Sequence, residues 1–381
     1  MDAYKRHQLI WRLLYPAVSF WICRKFHMTH EDLDLEGPVL IVPNHVNAWD
    51  PLLVAMSLKR RQAYFVASEH LFRLGFVSRA LEWLVAPIPR RKASAGTDTV
   101  KACLRQLRAG HSIVLFAEGE QCWDGRNNRI FPATGQLAKA SGATLVTYRL
   151  EGAYLSKPRW ARGVRRGRVY GHPVNVYPPE VLKTMSPADI NAAIERDTFE
   201  DAWQRQRDWR QDYRGKKLAE GLERAMYLCP RCRKTGSLRT EGDRIFCSCG
   251  FALRYTAAGF FSPAEPFETL ADWEDWQRQA LRERNFTHAG ELLFEDQDLL
   301  LTRIGPGHEE HELGRGALRQ YEDRLECAGM AFPLREIRDM APVQSYLLLL
   351  SVGDAYYQLR SDSGANLRKY LEIWKEAKTS G

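Results

Sequence analysis

The stretch Asn44-His45-Val46-Asn47-Ala48-Trp49-Asp50-Pro51 decides how the N-terminal half of this chain folds. It places an imidazole and a carboxylate close together in sequence, where a strand gives way to a helix. The run Gly37-Pro38-Val39-Leu40-Ile41-Val42 before it suits a short, fully buried strand, and Leu52 to Leu58 after it suits a helix. Asp50 followed by Pro51 is a helix start, with Asp at the N-cap and Pro at the first helical position. On one continuous helix His45 and Asp50 would point about 140° apart and could not meet. A strand end and a loop remove that obstacle. One Asp50 oxygen is then expected to cap the helix while the other holds the imidazole. Histidine titrates nearest neutrality, which suits taking a proton from a hydroxyl. A carboxylate fixes its tautomer and stabilises the imidazolium. The plain alternative is a loop histidine beside a capping aspartate.

Three further segments follow in order. Leu84-Val85-Ala86-Pro87-Ile88-Pro89-Arg90, with Arg91 and Lys92 behind it, is an apolar stretch ending in arginine. The apolar strand Ser112-Ile113-Val114-Leu115 runs into Phe116-Ala117-Glu118-Gly119-Glu120-Gln121, and Thr144-Leu145-Val146-Thr147-Tyr148 is another apolar strand. In this order and spacing, over roughly residues 35 to 180, the chain resembles the glycerolipid acyltransferase family, whose best-known members acylate lysophosphatidic acid.

That resemblance implies an α/β fold with a mixed sheet flanked by helices. It also implies that His45 deprotonates an acceptor hydroxyl, with Asp50 orienting the ring. The hydroxyl would attack an acyl thioester of coenzyme A or acyl carrier protein directly, with no acyl-enzyme and no organic cofactor. Arg90 or Arg91 would hold a phosphate through the bidentate guanidinium fork. Glu118 and Gly119 would line the acceptor site, Glu118 accepting hydrogen bonds from glycerol hydroxyls and Gly119 allowing close backbone approach. The alternatives are a buried structural carboxylate at Glu118 and a solvated Arg-Arg-Lys turn at residues 90–92. Two departures from the family pattern bear on the acceptor rather than on acyl transfer. Glu120-Gln121 stands where the family carries Thr-Arg, which removes a cation, and the fourth segment lacks its proline. The expected acceptor is a lysophospholipid, first of all lysophosphatidic acid, giving phosphatidic acid. The rivals are another hydroxylated acceptor and a non-catalytic lipid-binding scaffold. The presence of both His45 and Asp50 weighs against the scaffold.

The chain has 381 residues, 45% of them hydrophobic, enough for more than one packed domain. Residues 1–228 hold 35 Lys and Arg against 23 Asp and Glu, and the remainder 20 against 24, so the basic excess lies in the N-terminal half. Such a field attracts anionic headgroups, acyl carrier protein or nucleic acid. No apolar run is long enough for a membrane-spanning helix, and no signal peptide is expected. The first thirty residues mix Leu9, Ile10, Trp11, Leu13, Leu14, Tyr15, Phe20, Trp21 and Ile22 with Lys5, Arg6, Arg12, Arg24 and Lys25. This suits a membrane interface, with Pro16 breaking the segment in two, while a helix packed on the protein's own core is the rival. A peripheral protein on the cytoplasmic face of a membrane is expected.

Cys23, Cys103, Cys122 and Cys327 are scattered and suit ordinary thiols. Cys229-Pro230-Arg231-Cys232 and Cys247-Ser248-Cys249-Gly250 have the spacing of a zinc ribbon. Four thiolates make a closed structural site, with no position for a catalytic water. The hairpin between them is too small to bury a core without the metal, and two disulfides are the alternative. Nucleic acid, which some ribbons bind, is not the expected partner. Upstream, Pro187 to Tyr227 suits a polar helical stretch begun by Ser186-Pro187 and packed through Trp203, Trp209 and Tyr213. Beyond Phe251, strands are expected at 299–303, 316–321, 330–334, 346–352 and 355–359, closed by an amphipathic helix over 365–377. Such an arrangement resembles a pleckstrin-homology-like barrel. The expected division is a membrane-associating segment over 1–30, an acyltransferase domain over 31–225, a zinc ribbon over 226–262 and a barrel-like accessory domain over 263–381.

Overall fold

A computed structural model describes residues 3–68, 72, 76–90, 97–283, 291–305, 309–343, 346–362 and 364–379. The N-terminal region is a mixed seven-stranded sheet of β1 (Met28–His30), β2 (Val39–Pro43), β3 (Ala63–Ser68), β4 (Ile88–Arg90), β5 (Ser112–Val114), β6 (Thr144–Glu151) and β7 (Val169–Tyr177), in the order β1-β7-β6-β2-β5-β3-β4. All neighbouring pairs run parallel except β6 with β7. Strand β2 sits between β6 and β5, which explains its unbroken apolar sequence: all five of its residues are buried. Ligands of open α/β sheets gather beyond the carboxyl ends of such central strands. His45 follows directly from β2, and Phe116 to Gln121 follow from its neighbour β5.

The helices of this region are α1 (Ala3–Phe26), α2 (Asp50–Ala55), α3 (Phe76–Val85), α4 (Thr97–Arg108), α5 (Ala133–Ser141), α6 (Ala153–Ser156), α7 (Pro179–Thr184), α8 (Pro187–Thr198) and α9 (Ala202–Asp208). Helix α1 corrects one expectation, because it runs unbroken through Pro16. Pro16 and Arg12 lie on the exposed side, where the carbonyl that proline leaves without a donor faces solvent. The other side of α1 packs on the sheet. Trp11 Nε1 donates to the Leu58 carbonyl at 2.7 Å, Tyr15 Oη donates to that of Met56 at 2.8 Å, and Ile22 and Phe26 are fully buried. Helix α8 starts as its sequence predicts, with Ser186 and Asp189 forming a capping box. The helical reading of residues 187–227 holds only for α8 and α9. Between Trp209 and Tyr227 the chain is irregular apart from one short 3-10 turn, and Trp209 is exposed while Trp203 and Tyr213 are buried.

A four-stranded antiparallel sheet follows, β8 (Leu238–Glu241), β9 (Arg244–Cys247), β10 (Ala252–Tyr255) and β11 (Phe261–Ser262). Its β8–β9 hairpin lies between the two cysteine pairs. Leu238, Ile245, Leu253 and Phe261 join Trp160, Trp203 and Trp273 in the core of the N-terminal region, so this sheet is welded on rather than tethered. Trp273 belongs to α10 (Leu270–Arg282), begun by a capping box of Thr269 and Asp272.

The C-terminal β-rich domain is one antiparallel sheet of β12 (Leu292–Ile304), β13 (Glu310–Tyr321), β14 (Arg324–Cys327), β15 (Met330–Pro333), β16 (Ile337–Val343), β17 (Leu347–Val352) and β18 (Ala355–Ser361), in the order β15-β14-β13-β12-β18-β17-β16. Two meanders meet along the long, bulged β12, which pairs with both β13 and β18. Helix α11 (Arg368–Thr379) places Tyr370, Leu371 and Trp374 in the core of this domain. The sequence expectation missed β14 and β16.

Candidate functional site

Two clusters of chemistry-bearing side chains stand out. The first lies where β2 and β5 end. His45 Nδ1 donates to Asp50 Oδ2 at 2.8 Å, and the same oxygen accepts the amides of Val46 at 2.6 Å and Asn47 at 2.9 Å. This corrects the expected division of labour. Helix α2 begins at Asp50 itself with Trp49 at the N-cap and no side-chain cap, so Asp50 reaches back into the preceding loop through one oxygen rather than forward into the helix. Its other oxygen, Oδ1, is buried and has no hydrogen-bond partner among the described residues. Asp50 is completely buried, and burial raises its pKa against the opposing pull of His45 and the two amides. The His45 side chain keeps 16% of its surface, and its ring lies over Phe116 with centroids 4.3 Å apart.

The loop around the histidine is also tied down by two asparagine side chains. Asn44 Nδ2 donates to the Leu150 carbonyl at 3.1 Å, and Asn44 Oδ1 accepts the Leu150 amide at 2.8 Å. Asn47 Nδ2 donates to the Ala153 carbonyl at 3.2 Å. From the β5 side, Glu118 Oε1 accepts the His45 amide at 2.8 Å, and the Cys122 amide donates to the His45 carbonyl at 3.1 Å. The His45 peptide is therefore gripped at both ends by the segment after β5.

Glu118 also accepts Asn127 Nδ2 at 2.8 Å on Oε1 and the Asn128 amide at 2.7 Å on Oε2. Only 5% exposed, its carboxyl is pushed by burial up to about 8, with those three donors pulling the other way. The geometry gives Glu118 a brace between the His45 loop and residues 127–128. Gly119 has φ of +75°, and a Cβ there would lie 2.2 Å from Phe131 Cε2 and 3.0 Å from Arg90 Nη1. Glycine is required because the chain's own Phe131 and Arg90 crowd it. The Arg90 guanidinium lies 4.2 Å from the Phe131 ring centroid, and burial lowers its pKa. It borders an apolar cavity of about 100 Å³ lined by Val100, Cys103, Leu115, Phe131 and Leu137. His45, Asp50, Glu118, Gly119 and Arg90 thus converge. Arg91 lies outside the described residues.

Glu120, at the departure from the family pattern, is engaged by cations from elsewhere. Arg159 Nη1 lies 3.2 Å from Glu120 Oε2 and donates to the Gln121 carbonyl at 2.9 Å, and Lys375 Nζ of α11 lies 4.0 Å from Glu120 Oε1. Sequence reading missed Asn127, Asn128, Trp123 and Arg159. Only the adjacency of residues 122–128 to the Glu118-Gly119 turn hinted at the first three, and nothing local pointed to Arg159.

The second cluster is Cys229, Cys232, Cys247 and Cys249, whose Sγ atoms all lie within 4.8 Å of one another. Cys229 and Cys249 are 3.7 Å apart at sulfur, and Cys232 and Cys247 3.8 Å. A zinc tetrahedron with bonds of about 2.3 Å has sulfur–sulfur edges of about 3.8 Å. All four thiols are free, at separations far beyond a disulfide bond of about 2.05 Å.

Residues 25–151 match the model of the family described as Acyltransferase. A chloroplastic 1-acyl-sn-glycerol-3-phosphate acyltransferase of Arabidopsis thaliana is 25% identical over 168 residues, 43% of this chain and 46% of that protein. A second, chloroplastic and from Brassica napus, is 24% identical over 131 residues, 34% of this chain and 37% of that one. The chain spans less than half the length of either relative. The crystal structure of the 1-acyl-sn-glycerophosphate acyltransferase of Thermotoga maritima aligns with 49% of this chain and 77% of its own at 16% identity, with a TM-score of 0.40. The chain therefore carries, over residues 25–151, a domain of the acyltransferase family.

Proposed function

We propose that this protein transfers a fatty acyl chain from a thioester, acyl-CoA or acyl carrier protein, to the free hydroxyl of a lysophospholipid, with lysophosphatidic acid as the first-choice acceptor. The observation that carries the reading is the His45–Asp50 contact, a fully buried carboxylate holding Nδ1 of an imidazole that keeps part of its surface. With Nδ1 occupied, Nε2 is the nitrogen left to take the acceptor's proton. The deprotonated oxygen attacks the thioester carbonyl, the C–O bond forms, the C–S bond breaks, and the thiolate leaves with the proton returned by His45. Asp50 stabilises the imidazolium in between. Arg90, beside the Glu118-Gly119 turn, suits a phosphate on the acceptor. Glu118 supports the reaction by fixing the His45 peptide. The Glu120-Gln121 departure keeps a second acceptor in view, a lysolipid or other hydroxyl compound without a phosphate monoester.

Two accessory roles belong to the same reading. Cys229, Cys232, Cys247 and Cys249 hold one structural zinc ion, supported by their near-tetrahedral sulfur spacing. Helix α1 exposes Leu9, Leu13, Leu14, Phe20 and Trp21 opposite its packed side, with Phe20 at 72%. That exposed stripe suits docking on a bilayer at the cytoplasmic face, from which an acceptor with a fatty chain is drawn. Among the described residues, no helix is long and apolar enough to cross a membrane.

The deciding assay follows thiol release and acyl-lipid formation by the purified full chain across acyl donors and a panel of lysolipids. Thiol release at the buffer rate with every acceptor would overturn the reading. Metal analysis after purification in reductant should find one zinc per chain, and finding none would remove the ribbon assignment. The variant Leu13→Glu/Phe20→Glu should lose flotation with anionic liposomes while keeping its fold. Undiminished flotation would place the membrane contact elsewhere.

A further inference from the structure

The loop that grips His45 continues into Trp123, whose ring is approached by two buried guanidiniums. The carbon of Arg159 is 4.1 Å from the ring centroid and that of Arg368 is 5.1 Å away. Both arginines lead to the C-terminal part of the chain. Arg159 Nη2 donates to the Pro342 carbonyl of β16 at 3.3 Å, while its Nη1 holds Gln121 and Glu120. Arg368 belongs to α11, donates to Glu274 of α10 and to the Ala225 carbonyl, and lies 3.6 Å from Glu372. Lys375, one turn beyond Glu372, approaches Glu120. Two cations near one aromatic ring repel each other, and Glu120 beside Arg159 together with Glu274 and Glu372 beside Arg368 offsets that repulsion.

We infer that the C-terminal β-rich domain is a positioning element of the His45 centre, acting through Trp123. The chain of contact runs from Pro342, Arg368 and Lys375 through Arg159, Trp123 and Glu120 to the 116–123 segment. That segment carries the Cys122 amide and the Glu118 carboxylate bonded to the His45 peptide. Trp123 and Arg159 act here as positioning residues. They fix the loop that fixes the base, and a base displaced by a fraction of an ångström loses rate rather than affinity. The inference rests on the acyl-transfer reading above.

The test uses the full chain with three variants. Trp123→Phe keeps an aromatic face for both guanidiniums, whereas Trp123→Leu keeps apolar volume without that face. Arg159→Met removes the cation and leaves Glu120 its contact with Lys375. The expected result is a fall in kcat of about tenfold or more for Trp123→Leu and Arg159→Met, KM for the thioester changed by less than about threefold, and near wild-type turnover for Trp123→Phe. The inference is overturned by an unchanged kcat, by a loss confined to KM, or by Trp123→Phe falling as far as Trp123→Leu. Should Trp123→Leu not fold, amide exchange decides. The Cys122 amide should exchange faster in Arg159→Met than in wild type, and equal protection overturns the inference. A wild-type protein no faster than His45→Ala overturns the function reading itself, a separate outcome from active, His45-dependent enzyme with indifferent Trp123 variants.

Discussion

The two ends of the candidate site are built in opposite ways. The His45–Asp50 end is assembled from neighbours in sequence, with the partners of Asp50 at residues 45, 46 and 47. The Glu120 end is assembled across the chain, from Arg159, Lys375 and, through Arg159, a carbonyl 183 positions away. On the proposed reading the base and its carboxylate form a compact local motif, while the loop that braces them and the surroundings of Glu120 draw on contacts with the C-terminal domain. Substitutions of His45 and Asp50 should therefore cost turnover most, Arg159 should cost turnover more modestly through the loop it braces, and Glu120 should alter acceptor preference.

The largest effect is expected from Asp50→Asn. Asparagine keeps an acceptor oxygen for the Val46 and Asn47 amides but loses the charge that stabilises the imidazolium, so kcat should fall about 10³-fold with a small change in melting temperature. A loss below tenfold would make Asp50 a structural residue and erase the distinction between the two ends. Gly119→Ala, at the junction, forces a left-handed alanine and drives its Cβ into Phe131 and Arg90. A destabilisation of about 1–3 kcal/mol and a several-fold rise in acceptor KM should follow, read by thermal melting and initial rates. Glu118 adds a pH dependence. Its folded pKa of about 8 lies above its ordinary value, so the folded protein holds this proton more tightly than the unfolded chain. Its contribution is fully present below the ordinary carboxylate range and is lost as pH rises towards 8. Melting temperature should fall between pH 5 and pH 8, and Glu118→Gln should flatten that fall. The smallest effect belongs to Glu120→Gln, a few-fold change in the ratio of kcat/KM for phosphate-bearing and phosphate-free lysolipids. A large loss of kcat with both acceptors would contradict the division.

Much of the first end was legible in sequence, because a buried central strand, a proline-led helix and a His…Asp spacing are local signals. The use of a single Asp50 oxygen was not, since capping and imidazole binding draw on the same carboxylate, and only three-dimensional placement chooses between them. The clustering of Cys229, Cys232, Cys247 and Cys249 was equally legible from spacing. Strand β16 was hidden by Pro342, which a strand tolerates because β16 lies at the sheet edge, and β14 by the charged Arg324 and Glu326 that take up half of its four residues. Helix α1 was divided at Pro16 because propensity alone does not reveal that the vacated carbonyl faces solvent. The contacts of Arg159, Trp123 and Arg368 have no sequence signature, since each partner lies on a different element and nothing in spacing links them.

The most direct test of the central claim is product formation by His45→Ala beside wild type at saturating thioester and lysophosphatidic acid. A fall of about 10³-fold or more in kcat, with the fold and donor binding retained, is the result predicted for a general base. Phosphatidic acid formed by the variant at a rate close to that of wild type would show that His45 is not the base.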